Sequence, residues 1–180
     1  GEWVRLNVFT LNAVKKAELK ARFAEERLAE LKLIVETDPK EEFIVELKDK
    51  LSRRLEEVQD DAERLDGEGR DVADLVEKLN SLSLRHQGVI ERVLESAPEQ
   101  ARQALRYVLE VSRRGHQRAE EVLLRQKEKG HILAERAEEI LERNLRQLSK
   151  HASSTVSRIE ALPEGDALRE RLEEVLEETL

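Results

Sequence analysis

Apolar residues in this chain recur at gaps that alternate between three and four, and that spacing constrains the fold more than any other feature. Val14, Ala17, Ala21, Ala24, Leu28, Leu31 and Val35 form the first series. A repeat of roughly 3.5 residues keeps one stripe of a helix against a neighbouring helix. The second series, Ile44, Leu47, Leu51, Leu55, Val58, Ala62 and Leu65, has one extra residue between Leu51 and Leu55, a stutter that relaxes the supercoil locally. The third runs Val72, Leu75, Leu79, Leu82, His86, Val89 and Val93; the fourth runs Ala101, Leu105, Val108, Ser112, Gly115, Ala119 and Val122, small in its middle. No alternating strand pattern interrupts them. The expected class is all-α: an extended antiparallel bundle of coiled-coil-like helices with no sheet.

Turn chemistry sets the expected boundaries. In TDPKEE, Thr37 or Asp38 can cap the second helix and Pro39 suits its first turn. DGEG, residues 66–69, reads as a loop, and Asp71 opens the third helix. In SAPEQ, Ser96 can accept from the first amides of the fourth helix, while Pro98 lacks the amide that would go unpaired. No proline follows until Pro163, and only Gly115 and Gly130 break the pattern. Gly130 costs roughly 1 kcal/mol relative to alanine, too little to force a break. A continuous or gently bent helix is therefore expected, with a turn at KEKGH (127–131) as the competing outcome. Leu133, Ala137, Ile140, Leu141, Leu145, Leu148, Ala152, Val156 and Ile159 continue the seam; LPEGD closes it, and Leu168, Leu172, Val175 and Leu176 define a short acidic last helix. The division expected is a bundle over residues 1–125 and a helical tail over 126–180, packing on the body or on another chain.

Composition narrows the function. Charged residues make up 40% of the chain and aromatics 3%, a balance typical of long helices. The net charge of -8, from 32 basic and 40 acidic residues, argues against a general nucleic-acid binder. Residues 98–158 hold 13 Arg/Lys against 9 Asp/Glu, a local +4. Those cations are expected to meet the chain's own acidic helices, with an anionic polymer as the alternative partner. The absence of cysteine excludes disulfides, thiolate nucleophiles and Cys-ligated metals. No run of about 18 apolar residues occurs, so no membrane-spanning helix is expected. The chain begins at Gly1 without a basic-then-apolar leader, which reads as a mature or trimmed start.

Few residues qualify for chemistry. None of His86, His116, His131 and His151 stands three or four positions from another, the spacing a helical zinc site needs. In a hairpin turning near residue 97, His86 faces about residue 108, roughly 12 Å short of His116. His86 is expected to be a core histidine with a satisfied hydrogen bond, and Gly115 a place where a facing helix comes close, in preference to a ligand notch. The acidic pairs Glu25–Glu26, Glu41–Glu42 and Glu138–Glu139 read as solvated faces, since adjacent helical side chains diverge and cations follow at helical spacing. SSTVS, residues 153–157, lies near Lys150 and His151 but has no glycine elbow or acid beside it. No enzyme, cofactor, metal or small-molecule substrate is expected. The first turns differ from the rest: Trp3, Val4, Leu6, Val8, Phe9 and Leu11 cannot all face one core, and they are the expected interaction residues, docking on another chain or on the far tail.

Two segments, AELKARFAEERLAEL (17–31) and HQGVIERVLESAPEQARQALRYVLEVSRRGHQRA (86–119), resemble an uncharacterised helical domain family of bacterial secreted and cell-surface proteins. The resemblance rests on Ala24 to Leu31, on Val93, Leu94 and Glu95 with Pro98 and Glu99, and on Gly115 with His116, and spans about residues 9–125. GEWVRLNVFT replaces the family's proline-rich lead-in. The resemblance implies an extracytoplasmic location and no activity. The functional expectation is a non-enzymatic structural or protein-interaction module, self-associating or bound to another protein, with an envelope-stress chaperone for unfolded clients as the alternative.

Overall fold

The computed structural model describes the backbone of residues 2–37, 40–161, 163–164, 169–170 and 173, with side chains from residue 13 onward except those of Glu41, Gln100, His151, Ser154 and Arg158. Five long helices account for it: α1 (Glu2–Thr37), α2 (Glu41–Gly67), α3 (Ala73–Ser96), α4 (Glu99–Glu128) and α5 (Ala134–Glu160). No strand occurs among the described residues, so the all-α class holds. The segment read as a last acidic helix lies almost wholly outside them, as does Pro39.

The ion pairs fix the topology. Lys20 meets Asp61 at 2.6 Å across the antiparallel α1–α2 hairpin. Arg113 reaches Glu91 at 3.7 Å, and the Val72 amide donates to Gln126 Oε1 at 2.9 Å, across the antiparallel α3–α4 hairpin. The hairpins pack with α1 alongside α3 and α2 alongside α4, each pair parallel: Glu18 meets Lys78 and Glu25 meets Arg85, while Glu63 meets Arg118 and Asp66 meets Arg125. Helices α2 and α3 barely touch, so the short link between them crosses the diagonal of the four-helix bundle. Helix α5 lies outside, on α3 and α4, parallel to α3; Arg136 pairs with Asp74 and Glu77, and Asn144 donates to Asn80 at 2.9 Å.

The expected seams are the buried ones. All seven residues of the α2 series and all seven of the α4 series are buried, and on α1 only Val14 and Ala21 are partly exposed. Side chains such as Leu31, Ile44, Leu51, Leu105 and Leu123 are fully sequestered, each worth about 1.5–3 kcal/mol of transfer free energy. The α5 seam holds only in part. Ala137, Ile140 and Ile159 are buried, but Leu133 is 77% exposed and Leu145 is 66% exposed.

The long fourth helix is not continuous. Helix α4 stops at Glu128, Gly130 takes φ +73°, and α5 starts at Ala134. The Gly130 amide donates to Lys127 O and the His131 amide to Gln126 O, the paired bonds of a Schellman stop. Gly69 (φ +75°) ends α2 in the same way, its amide donating to Asp66 O and that of Arg70 to Leu65 O. What matters at both glycines is tolerance of a left-handed backbone, not low helix propensity. Residues 134–160 therefore form a separate, folded-back helix and not an extension of α4.

The expected side-chain caps are also corrected. Thr37 closes α1, its Oγ1 donating to Leu33 O, and Lys40 is the N-cap of α2. Ser96 ends α3, and Pro98 is the N-cap of α4, with no side-chain cap bond. Asp71 does serve the α3 start: its Oδ1 accepts from the Ala73 amide at 3.1 Å.

Candidate functional site

The core divides into two apolar clusters. One, toward the α1–α2 turn and the α3–α4 corner, includes Leu31, Ile44, Leu55, Ile90 and Val111; the other, toward the opposite end, includes Val58, Leu65, Leu82, Ala119 and Ile140. Between them lies a buried polar layer of Gln59 on α2, Ser83, His86 and Gln87 on α3, and Ser112, Gly115 and His116 on α4. The bonds on either side of His86, Glu91–Arg113 and Val72–Gln126, set it level with α4 near residues 112–118. The offset expected from a hairpin of uniform register is not kept.

His86 is fully buried, and neither ring nitrogen has a hydrogen-bond partner. The expectation of a satisfied histidine is overturned: Ser112 Oγ and Gln87 Nε2, also buried in this layer, are themselves without partners. Burial, with the nearby Arg85 charge adding to it, pushes the His86 pKa down to about 4. The ring is therefore neutral near pH 7. His116 Nε2 lies 3.2 Å from Glu120 Oε1. That contact holds the Glu120 carboxyl below its ordinary value, against burial, with Asn144 assisting.

At Gly115 the notch contains a side chain. A Cβ there would lie 1.6 Å from Gln59 Nε2, so the Gln59 amide occupies the space. Arg118 holds that end of α2, its guanidinium donating to Glu63 at 2.7 Å, to Asp60 at 2.6 Å and to Gln59 Oε1 at 3.4 Å. Close packing at Gly115 is observed, but through a side chain and not through helix backbones.

A second polar node escaped sequence reasoning. Asp66, 3% exposed, accepts from Arg125 Nε at 2.7 Å, Gln126 Nε2 at 2.7 Å and Lys129 Nζ at 2.6 Å. Gln126 also bonds the Val72 amide, the Arg70 carbonyl and His131 Nδ1. This cluster ties the α2–α3 link to the α4–α5 turn. Burial pushes the Asp66 pKa up, but Lys129, Arg125 and Gln126 outweigh it and leave the carboxyl below its ordinary range. The only sequence signal was an acid just before two glycines, which reads equally well as loop.

A surface groove runs along α3 between α1 and α5, crossed by Lys78–Glu18, Arg85–Glu25, Arg136–Glu77 and Arg143–Glu77. Burial raises Glu77, yet Arg136 and Arg143 hold its carboxyl below the ordinary value. Of the cations in residues 98–158, Arg113, Arg118, Arg125, Lys129, Arg136 and Arg143 meet α2 or α3 carboxylates. Arg102, Arg114 and Arg146 instead pair within their own helices, and Lys127 reaches Glu138 on α5. Glu25 and Glu138 pair with Arg85 and Lys127, as solvated faces do; the side chains of Glu41 and His151 lie outside the described residues. Among the described residues no three His, Asp or Glu side chains converge on one point.

Three exposed apolar side chains lie together elsewhere on the surface. Phe23 and Leu33 on α1 are 39% and 59% exposed, and Phe43 on α2 is 43% exposed. All three line the outer α1–α2 groove, Leu33 and Phe43 at its turn end and Phe23 beside Arg27, Lys50, Arg53 and Arg54. The backbone of Trp3, Val4, Leu6, Val8, Phe9 and Leu11 is helical, forming the first turns of α1; their side chains lie outside the described residues.

This architecture defines an all-helical bundle of four packed helices with an appended fifth, and no described helix is long and apolar enough to cross a membrane. The chain belongs to the family described as Domain of unknown function (DUF5667), whose model matches residues 2–100. That match takes in α1, α2, α3 and the Pro98 corner but stops short of Gly115 and His116, so it starts earlier and ends sooner than the span expected from the resemblance. No curated protein and no solved structure matches the chain.

Proposed function

We propose that the protein is a non-enzymatic protein-interaction module that self-associates through the first turns of α1 and works outside the cytoplasm. The observation that carries the reading is that α1 is apolar on two faces. Its inner seam of Ala17, Ala24, Leu28, Leu31 and Val35 is buried, while Leu19, Phe23 and Leu33 stand exposed on the other side, Leu19 at 48%. A helix that only had to close a bundle would carry polar residues there. Toward its start the same helix bears Trp3, Leu6, Val8 and Phe9, apolar residues that helical periodicity spreads around more than one face. The extracytoplasmic location is supported by the resemblance to secreted and cell-surface proteins.

Deletion of residues 1–11 tests the reading. Light scattering of the full chain should give a molar mass above the 20.8 kDa of one copy, and the deletion should lower it with helicity nearly intact. A full chain that scatters as one copy at high concentration contradicts self-association. The chaperone alternative calls for a concave apolar cradle; the filled seams between α1, α2, α3 and α4 favour the interaction reading over it.

A further inference from the structure

We infer that the outer α1–α2 groove is a docking site for an acidic amphipathic helix of a partner protein. The inference rests on the interaction reading and names the class of partner. Two adjoining halves of the groove make the case. The half nearer the α1–α2 turn has Leu33, Ile34, Phe43 and Leu47 on its walls, with Glu30 and Glu46 beside them, each paired to Arg27 or Lys50. The other half, a cavity of about 390 Å³, is lined by Phe23 and four cations, Arg27, Lys50, Arg53 and Arg54, with no carboxylate on its wall. Arg27 and Lys50 line both halves, so the two form one continuous channel.

That concentration of positive charge runs against the chain's net charge of -8. Three of the cations contact a carboxylate on their own helix: Arg27 with Glu30, Lys50 with Glu46 and Arg54 with Glu57. Such exposed pairs are weak and leave most guanidinium and ammonium donors available. Arg53 makes no ion pair among the described residues. The Lys40 ammonium stands 5.8 Å from the Phe43 ring centroid and extends the positive rim to the turn end.

A groove between two antiparallel helices accepts a third helix by taking apolar side chains at i, i+3, i+4 and i+7. The cationic flank then selects carboxylates beside that stripe, which raises encounter rates and fixes orientation. A flexible polyanion would satisfy the cations but leave Phe23, Leu33 and Phe43 uncovered. Those three side chains therefore favour an amphipathic protein segment.

The test uses the full chain and a fluorescent peptide about 18 residues long, or about 27 Å as a helix, with leucines on one stripe and glutamates on its flanks. Saturable binding at one peptide per chain is expected, and Lys50→Glu with Arg53→Glu should weaken it at least about tenfold. Phe43→Ser should weaken it too, while Arg146→Glu, a charge reversal on α5, should not; circular dichroism checks that each variant stays helical. Several results would overturn the inference. These are no saturable binding, equal binding of a glutamine version of the peptide, or full competition by polyglutamate lacking the leucines. A fall in the chain's own molar mass on reversing Lys50 and Arg53 would also do so, because the occupant would then be a second copy. If the peptide fails while residues 1–11 still drive association, only the acidic-partner inference falls and the interaction reading stands.

Discussion

The side-chain amide of Gln59 sits where a Cβ on Gly115 would stand, with Nε2 1.6 Å from that position. Helices α2 and α4 are thus keyed together by a residue present and a residue missing. Gly115→Ala gains up to about 1 kcal/mol of helix propensity but must expel the Gln59 amide from its buried place. In the parent background the exchange should be neutral or destabilising by about 1–2 kcal/mol. In a Gln59→Ala background the space is free, and the same change should stabilise. Urea denaturation of the four proteins measures the coupling, and equal effects in both backgrounds would show that the two residues do not compete. Gly115→Leu should be strongly disruptive, because Gln59 and its surroundings cannot clear an isobutyl group.

Gly130 supplies a test of opposite sign from the usual helix rule. Were α4 continuous, Gly130→Ala would stabilise by about 1 kcal/mol. At φ +73° the alanine should instead destabilise by about 1–2 kcal/mol. A raised melting temperature would favour the unbroken helix.

His86 should make the protein acid-sensitive. Its pKa falls from 6.5 to about 4 on folding, so between those values the unfolded chain binds a proton that the folded chain does not. Stability then declines as pH drops from about 6.5 to about 4 and levels off below, by about 3 kcal/mol in all. The depressed carboxyls of Glu63, Asp66, Glu77 and Glu120 add losses as acid protonates them. Glu91, raised by burial, acts in the other direction, its contribution being lost as pH rises. His86→Leu should stabilise the protein near pH 7 by about 1–3 kcal/mol, since it removes buried polar atoms that lack partners. It should also flatten the slope between pH 4 and 6.5. Parallel stability–pH curves for parent and variant would rule out the histidine as the source.

Asp66→Ala removes the acceptor shared by Arg125, Gln126 and Lys129. Because Arg125 and Lys129 are 42% and 34% exposed and can regain water, the loss should be about 2 kcal/mol, below that of a fully buried pair. Hydrogen exchange should rise first at the Val72 and Gly130 turns, which Gln126 and Lys129 tie to Asp66. Unchanged protection there would show that the node does not hold the turns.

The heptad seams made the bundle legible because burial of one stripe per helix is what a repeat of roughly 3.5 residues encodes. Val58, Leu79 and Leu105 could be placed inside from spacing alone. Gly130 was misjudged because propensity describes a glycine within a helix, whereas the stop depends on a left-handed residue and two backbone bonds that only the folded turn reveals. Asp66 and Gln59 were missed for a different reason. Their partners lie about 60 positions away, across the α2–α4 contact, and a single sequence does not show which helices become neighbours. The register of His86 against α4 likewise depends on how the hairpin is wound, not on where it turns. The outer groove was hidden because Phe23, Arg27, Phe43 and Arg53 belong to two helices and to no periodic series.

Trp3 is the only tryptophan in the chain, so its fluorescence reports the first turn of α1 and nothing else. Emission and acrylamide quenching, followed over a concentration series with molar mass measured on the same samples, test self-association through α1 most directly. Blue-shifted, protected Trp3 emission at high concentration is expected, moving to longer wavelength on dilution as the molar mass falls toward 20.8 kDa. Fully solvent-exposed emission at every concentration, with the mass of one copy throughout, would contradict it.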